Sequence, residues 1–173
     1  MDVTISNPFS ELTVVAWNAN GLNERRAELV QFILDIDADV VMLGETWFRP
    51  ADKFTIANYA VHRSDRLTGR GGGVAIAIKK HLRHSFLPVP DLRSLEAVGV
   101  RIRVRGFGPL NLFSVYAPPT RVFVPEDYDS LFGSDTPALV AGDLNRFGVR
   151  SSHSGVCAGG LCSSHSGVCA GGL

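Results

Sequence analysis

Cysteine is missing from the body of this chain: Cys157, Cys162 and Cys169 all fall in the last residues. A fold stapled by disulfides is therefore excluded for everything before them. Net charge is missing as well, because 17 Lys and Arg balance 17 Asp and Glu, so the total points to no partner. No apolar run reaches the roughly 20 residues needed to cross a bilayer. Residues 1–12 lack the basic and apolar regions of a signal peptide, so no membrane association and an intracellular protein are expected. The glycine cluster at 69–73 lacks the Gly-Lys-Ser/Thr ending that brings a lysine and a metal-binding hydroxyl to a nucleotide. It reads as a hairpin turn, not a phosphate loop.

Apolar residues are plentiful, at 45% of 173. That suffices for one domain burying about 70% of its unfolded surface. The charges that cancel in total are separated along the chain. Eleven Lys and Arg face three acids between Lys53 and Arg105, and nine acids face three arginines between Met1 and Asp52. A basic middle suits a phosphate backbone, although a solvated charged face has the same composition. The candidates for nucleic-acid contact are Arg63, Arg66, Arg70, Lys79, Lys80, Arg101 and Arg103.

Residues 139–145 organise the rest. The run Leu-Val-Ala stops at Gly142 and presents Asp143 and Asn145, two residues apart and so on one side of an extended strand. Upstream, residues 12–17 predict a strand with Asn18 at its tip, and Asn23 a helix N-cap. Leu29, Val30, Phe32, Ile33, Leu34 and Ile36 supply a broad apolar stripe on a helix ending near Asp37. Val40 to Leu43 predict a buried strand that runs into Gly44-Glu45-Thr46-Trp47. Strands follow at 59–63, at 74–78 packed on both faces, and as a hairpin at 98–104 and 110–115. The second hairpin strand ends at Tyr116. Pro125 to Phe132 predict a short helix, with proline first and acids in the first turn. The order indicates an α/β layered fold with an extensive mixed sheet.

Four strand ends thus offer Asn18, Glu45, Tyr116 and the Asp143/Asn145 pair. Hydrolysis of a phosphodiester needs this kind of set: a hard oxygen ligand for Mg²⁺, a base for water, and neutral donors for the phosphoryl oxygens. Singly, each has a plainer reading as a turn former, a surface charge or a loop cap.

The stretches VVAWNANGL, DADVVMLGETW, GRGGGVAIAI, LNLFSVYAPP and ALVAGDLN resemble the endonuclease/exonuclease/phosphatase superfamily over residues 12–145. They look most like the apurinic-type endonuclease domains of non-LTR retrotransposons. The resemblance implies an incomplete four-layer α/β/β/α sandwich over residues 12–150, after an N-terminal extension at 1–11. It implies Mg²⁺, with Mn²⁺ as the alternative, bound by Glu45 and supported by Asn18. Tyr116 would contact the phosphate or help position the base, Asp143 would activate or orient water, and Asn145 would steady the phosphate. DNA would be nicked to leave a 3′ hydroxyl, which in a retroelement primes reverse transcription in the nucleus. A non-catalytic nucleic-acid-binding or decayed remnant is the alternative from another class. A phosphatase or lipid phosphodiesterase is the alternative within the superfamily.

After Arg150 the pattern breaks. SSHSGVCAGGL occupies 151–161 and recurs at 163–173. Two small, polar copies without an apolar face predict disorder at 151–173. Family members carry a late Asp-His pair, whereas Ser152-His153 and Ser164-His165 have no acid before the histidine, so the chain is expected to be a C-terminally truncated copy. An uncovered sheet face or edge would then favour self-association and marginal stability.

Overall fold

The computed structural model describes residues 12–122 and 124–144. The expected N-terminal extension, the 151–173 repeat with its histidines and cysteines, and Asn145 lie outside the described residues.

Two four-stranded sheets stack face to face. The first has the order β1 (Val14–Asn18), β2 (Val40–Gly44), β4 (Val74–Lys79), β3 (Tyr59–Ser64). The second has β5 (His84–Leu87), β6 (Glu96–Val104), β7 (Gly108–Tyr116), β8 (Ala138–Asp143). Two sheets are what the four-layer sandwich implied by the resemblance requires; the element order alone indicated only an extensive mixed sheet. Each mixes one parallel pair with antiparallel neighbours. Side-chain alternation drives the stacking, because successive residues of a strand serve opposite faces. In β4 the large Val74, Ile76 and Ile78 enter the layer between the sheets, and the small Ala75 and Ala77 face outward. Opposite them, Val98, Val100 and Ile102 of β6 close the same layer. Each such side chain contributes about 1.5–3 kcal/mol by leaving water.

Helix α1 (Arg26–Asp35) covers the outer face of the first sheet through Leu29 and Ile33, one turn apart. Its apolar stripe is narrower than expected, for Leu34 is 62% exposed. Asn23 does not cap it. The helix begins after a turn with no side-chain cap bond, and the Asn23 side-chain oxygen accepts from the Arg26 guanidinium at 2.7 Å. Helix α2 (Pro125–Phe132) covers the second sheet through Leu131, against Phe113, Val115 and Val140. The layers are α/β/β/α.

The expected uncovered sheet face is corrected too. Val40, Met42, Ile76, Ile78, Val100 and Leu112 are fully buried between the sheets. Burial is only partial for Val14 and Ala16 on β1 and for Leu139 and Ala141 on β8, the edge strands of one flank among the described residues. Strand β5 was missed by sequence reasoning because four residues carry no readable alternation. It forms as an edge partner of β6, with Phe86 opposite Val100. Among the described residues no helix is long and apolar enough to cross a membrane.

Candidate active site

Both parallel pairs end on the same side of the sandwich. In the first sheet Asn18 is in register with Gly44, and in the second Tyr116 is in register with Asp143. Because parallel strands share a direction, each pair delivers two chain ends to one rim. The stacked sheets then bring the rims together.

Asn18 joins them. Its amide nitrogen donates to Glu45 Oε1 at 3.1 Å and to Asp143 Oδ2 at 2.7 Å. The backbone N–H of Asn20 donates to Asn18 Oδ1 at 3.0 Å, and this bond fixes which end of the carboxamide faces the carboxylates. Two acids that would repel each other therefore share one pair of donors. Glu45 also accepts from Trp47 Nε1 at 3.3 Å and is hydrogen-bonded to the Tyr116 hydroxyl. Burial, together with the charge of Glu45 and against the opposing cation of Arg66, pushes the Tyr116 hydroxyl up to about 12. At neutral pH Tyr116 is thus a donor and not a base.

Backbone geometry supports this placement. Glu45 and Trp47 hold left-handed φ values of 50° and 58°, a costly conformation for residues with a Cβ. Gly142, immediately before Asp143, has φ 149°, and a Cβ there would lie 1.8 Å from the Val115 carbonyl oxygen. Only glycine lets β8 approach β7 at the point where Asp143 emerges.

The donor set suits a hard divalent cation. The two carboxylates match Mg²⁺, which takes one or two carboxylates and keeps waters or substrate phosphates as its other ligands. Among the described residues no group of three or more His, Cys, Asp and Glu is placed to enclose a metal fully.

The seven basic candidates divide. Arg63 lies one residue before the end of β3 at the rim, paired with Asp65 at 3.3 Å. Arg66 and Arg70 lie in the β3–β4 loop, Arg66 over the Tyr116 ring at 5.7 Å and Arg70 over the Trp47 ring at 5.9 Å. Lys79 lies at the other end of β4, five residues and about 17 Å along the strand from the rim. Its ammonium contacts Asp37 at 2.7 Å and Asp39 at 3.0 Å. These partners outweigh burial and raise its pKa. Lys80 follows it there. Arg101 and Arg103 point outward from β6, and Arg101 donates to Asn111 at 2.8 Å. The spread arises because the 41 residues from Arg63 to Arg103 pass along several strands and so reach both ends of a strand about 20 Å long.

Sequence reasoning assigned nothing to Trp47 and Glu96. The first stood in the motif without a stated role. The second opens an alternating strand, and only its contacts reveal it.

The Endonuclease/Exonuclease/phosphatase family model matches residues 15–161. The RNA-directed DNA polymerase from mobile element jockey of Drosophila melanogaster is 29% identical over 132 residues, covering 76% of this chain and 14% of that protein. The probable RNA-directed DNA polymerase from transposon X-element of the same fly is 28% identical over 137 residues, covering 78% and 15%. The chain thus spans about one-seventh of the length of these curated relatives. Among solved structures, the endonuclease domain of TRAS1, a telomere-specific non-LTR retrotransposon, superposes with TM-score 0.62 at 21% identity, over 79% of this chain and 61% of that one. The Xenopus laevis APE2 catalytic domain gives 0.54 at 16%, over 78% and 59%. A fold shared at this depth, with a family match that takes in all four strand tips of the rim, means that the chain belongs to the endonuclease/exonuclease/phosphatase family.

Proposed function

We propose that the chain is a divalent-metal-dependent DNA endonuclease domain of retrotransposon origin that nicks one strand and leaves a 3′ hydroxyl. The observation that carries this reading is the Asn18 amide held between the carboxylates of Glu45 and Asp143. Similarity to mobile-element relatives supports DNA over a phospholipid or inositol phosphate as substrate; in a retroelement such a nick would prime reverse transcription, in the nucleus.

Glu45 would hold Mg²⁺ or Mn²⁺, with Asn18 beside it. When bound, the ion supplies positive charge against a phosphoryl oxygen and the leaving 3′ oxygen. Asp143, oriented by Asn18, takes a proton from the attacking water. The electron pair of the broken O–H bond serves the water oxygen as it closes on phosphorus, the bond to the 3′ oxygen breaks on the opposite side, and that oxygen takes a proton from solvent to become the 3′ hydroxyl. Tyr116, protonated at working pH, donates to a non-bridging oxygen as its charge grows. Arg63, Arg66 and Arg70 border the rim where a strand would lie. Asn145 would steady the phosphate, on the strength of the resemblance.

Supercoiled plasmid incubated with the purified chain tests the reading. Nicking with Mg²⁺, none with EDTA, and loss in Glu45→Ala and Asp143→Asn are expected. A folded chain that binds DNA with a steep salt dependence but never nicks it would instead establish the non-catalytic reading.

A further inference from the structure

Glu96 is absent from the set of rim groups above, yet it is the most connected acid near them. Its side chain is 12% exposed. Oε1 accepts from Arg66 Nε at 2.6 Å and lies 2.6 Å from Arg66 Nη2, with Arg121 Nη2 at 3.8 Å. Oε2 accepts from the backbone N–H of Gly73 at 2.7 Å. Two structures hang on these bonds.

The first is the Glu45 segment. The carbonyl of Gly73 accepts from Thr46 N at 3.1 Å, and that of Gly72 accepts from Trp47 N at 2.9 Å. These bonds hold Thr46 and Trp47, directly after Glu45, in a stretch whose left-handed φ at Glu45 and Trp47 has to be held by its surroundings. A Cβ on Gly72 would lie 2.3–2.5 Å from the Arg66 guanidinium, so a side chain there would push Arg66 out of its place. The second is Tyr116, in register with Glu96 across β6 and β7. Arg66, fixed by Glu96, stacks over its ring. One half-buried carboxylate therefore ties a loop of the first sheet to a strand of the second.

We propose that Glu96 is a positioning residue: by accepting from Gly73 and fixing Arg66, it sets the conformation of Glu45 and the place of the Tyr116 hydroxyl, without touching substrate or cation. This rests on the reading of the rim as the active site, but its first test does not.

Amide hydrogen exchange of Thr46 and Trp47 reads their bonds to Gly73 and Gly72 directly, with Val100 and Leu112 as reporters of global opening. In Glu96→Leu, which has no acceptor, exchange at Thr46 and Trp47 is expected to rise about tenfold or more, the scale of one hydrogen bond to a charged group, while the reporters stay put. In Glu96→Gln the amide oxygen still accepts from Gly73, so exchange there stays within about threefold of the parent. Should the leucine variant not fold, Glu96→Asp, one methylene short of Gly73, is read in the same way. Mn²⁺ affinity follows the same order, weakened in the variant lacking the acceptor and recovered in Glu96→Gln. Unchanged exchange at Thr46 and Trp47 in a folded Glu96→Leu or Glu96→Asp overturns the proposal. A parent that neither binds Mn²⁺ nor nicks DNA would overturn the endonuclease reading instead, and the exchange rates would still decide the role of Glu96.

Discussion

The amide nitrogen of Asn18 donates to Asp143 at 2.7 Å across 125 residues of chain. The bond runs from an edge strand of one sheet to an edge strand of the other among the described residues. It also leaves the same nitrogen a second hydrogen for Glu45. The two acids are consequently held at a spacing set by one carboxamide.

Asn18→Ala removes both donors and leaves two carboxylates facing each other. Nicking is expected to fall about 10²–10³-fold in kcat/KM, the usual effect of deleting one preorganised donor. Plasmid nicking under single-turnover conditions measures it, and a variant within threefold of the parent would show that the bridge is idle.

Tyr116 separates hydrogen-bond donation from base catalysis. With its hydroxyl pushed up to about 12, ionisation of Tyr116 cannot limit the reaction below pH 10. Tyr116→Phe should therefore lower the rate without moving the alkaline limb of the pH profile. Linkage adds a second measurement. The folded pKa lies above the unfolded value of about 10, so this residue's contribution is fully present below pH 10 and lost as pH rises toward 12. The parent should lose more stability than Tyr116→Phe across that window in urea melts, and equal losses would remove burial of the phenol as the cause.

Gly142→Ala sets a Cβ against the Val115 carbonyl, a backbone atom with nowhere to go. Strain of this kind costs about 1–3 kcal/mol before the collision is counted. A lowered urea midpoint together with loss of activity is expected, since Asp143 follows directly. A variant as stable as the parent would mean that β7 and β8 separate easily at this point.

The basic residues should sort by position. Arg70→Ala is expected to weaken DNA binding and reduce the slope of log K against log salt by roughly one. Lys79→Ala should leave that slope unchanged, because Asp37 and Asp39 already neutralise the ammonium. Fluorescence anisotropy at several salt concentrations distinguishes the two. Equal slopes for both variants would restore the broad basic face read from composition.

Most strands and both helices were legible because their patterns are local. Val98, Val100 and Ile102 alternate with arginines, Pro125 opens α2, and an apolar run stops at Gly142. Edge strand β5 was not legible, for what makes it a strand is β6. The capping role given to Asn23 failed for a related reason. A turn placed before the helix put Asn23 within reach of the Arg26 guanidinium.

By itself, the sequence determined which groups stand at strand ends: Asn18, Glu45, Tyr116 and Asp143. Strand termination is written in neighbouring residues, and a polar tip after an apolar run has few other places to go. The tertiary structure decided that the strands form two sheets, that the parallel pairs end on one rim, and that Asn18 bonds two acids at once. It also decided that Arg66 belongs to the rim while Lys79 does not, and that Glu96 matters at all. Residues as far apart as 125 positions meet only when two sheets bury their apolar faces against each other, and no local pattern encodes that register.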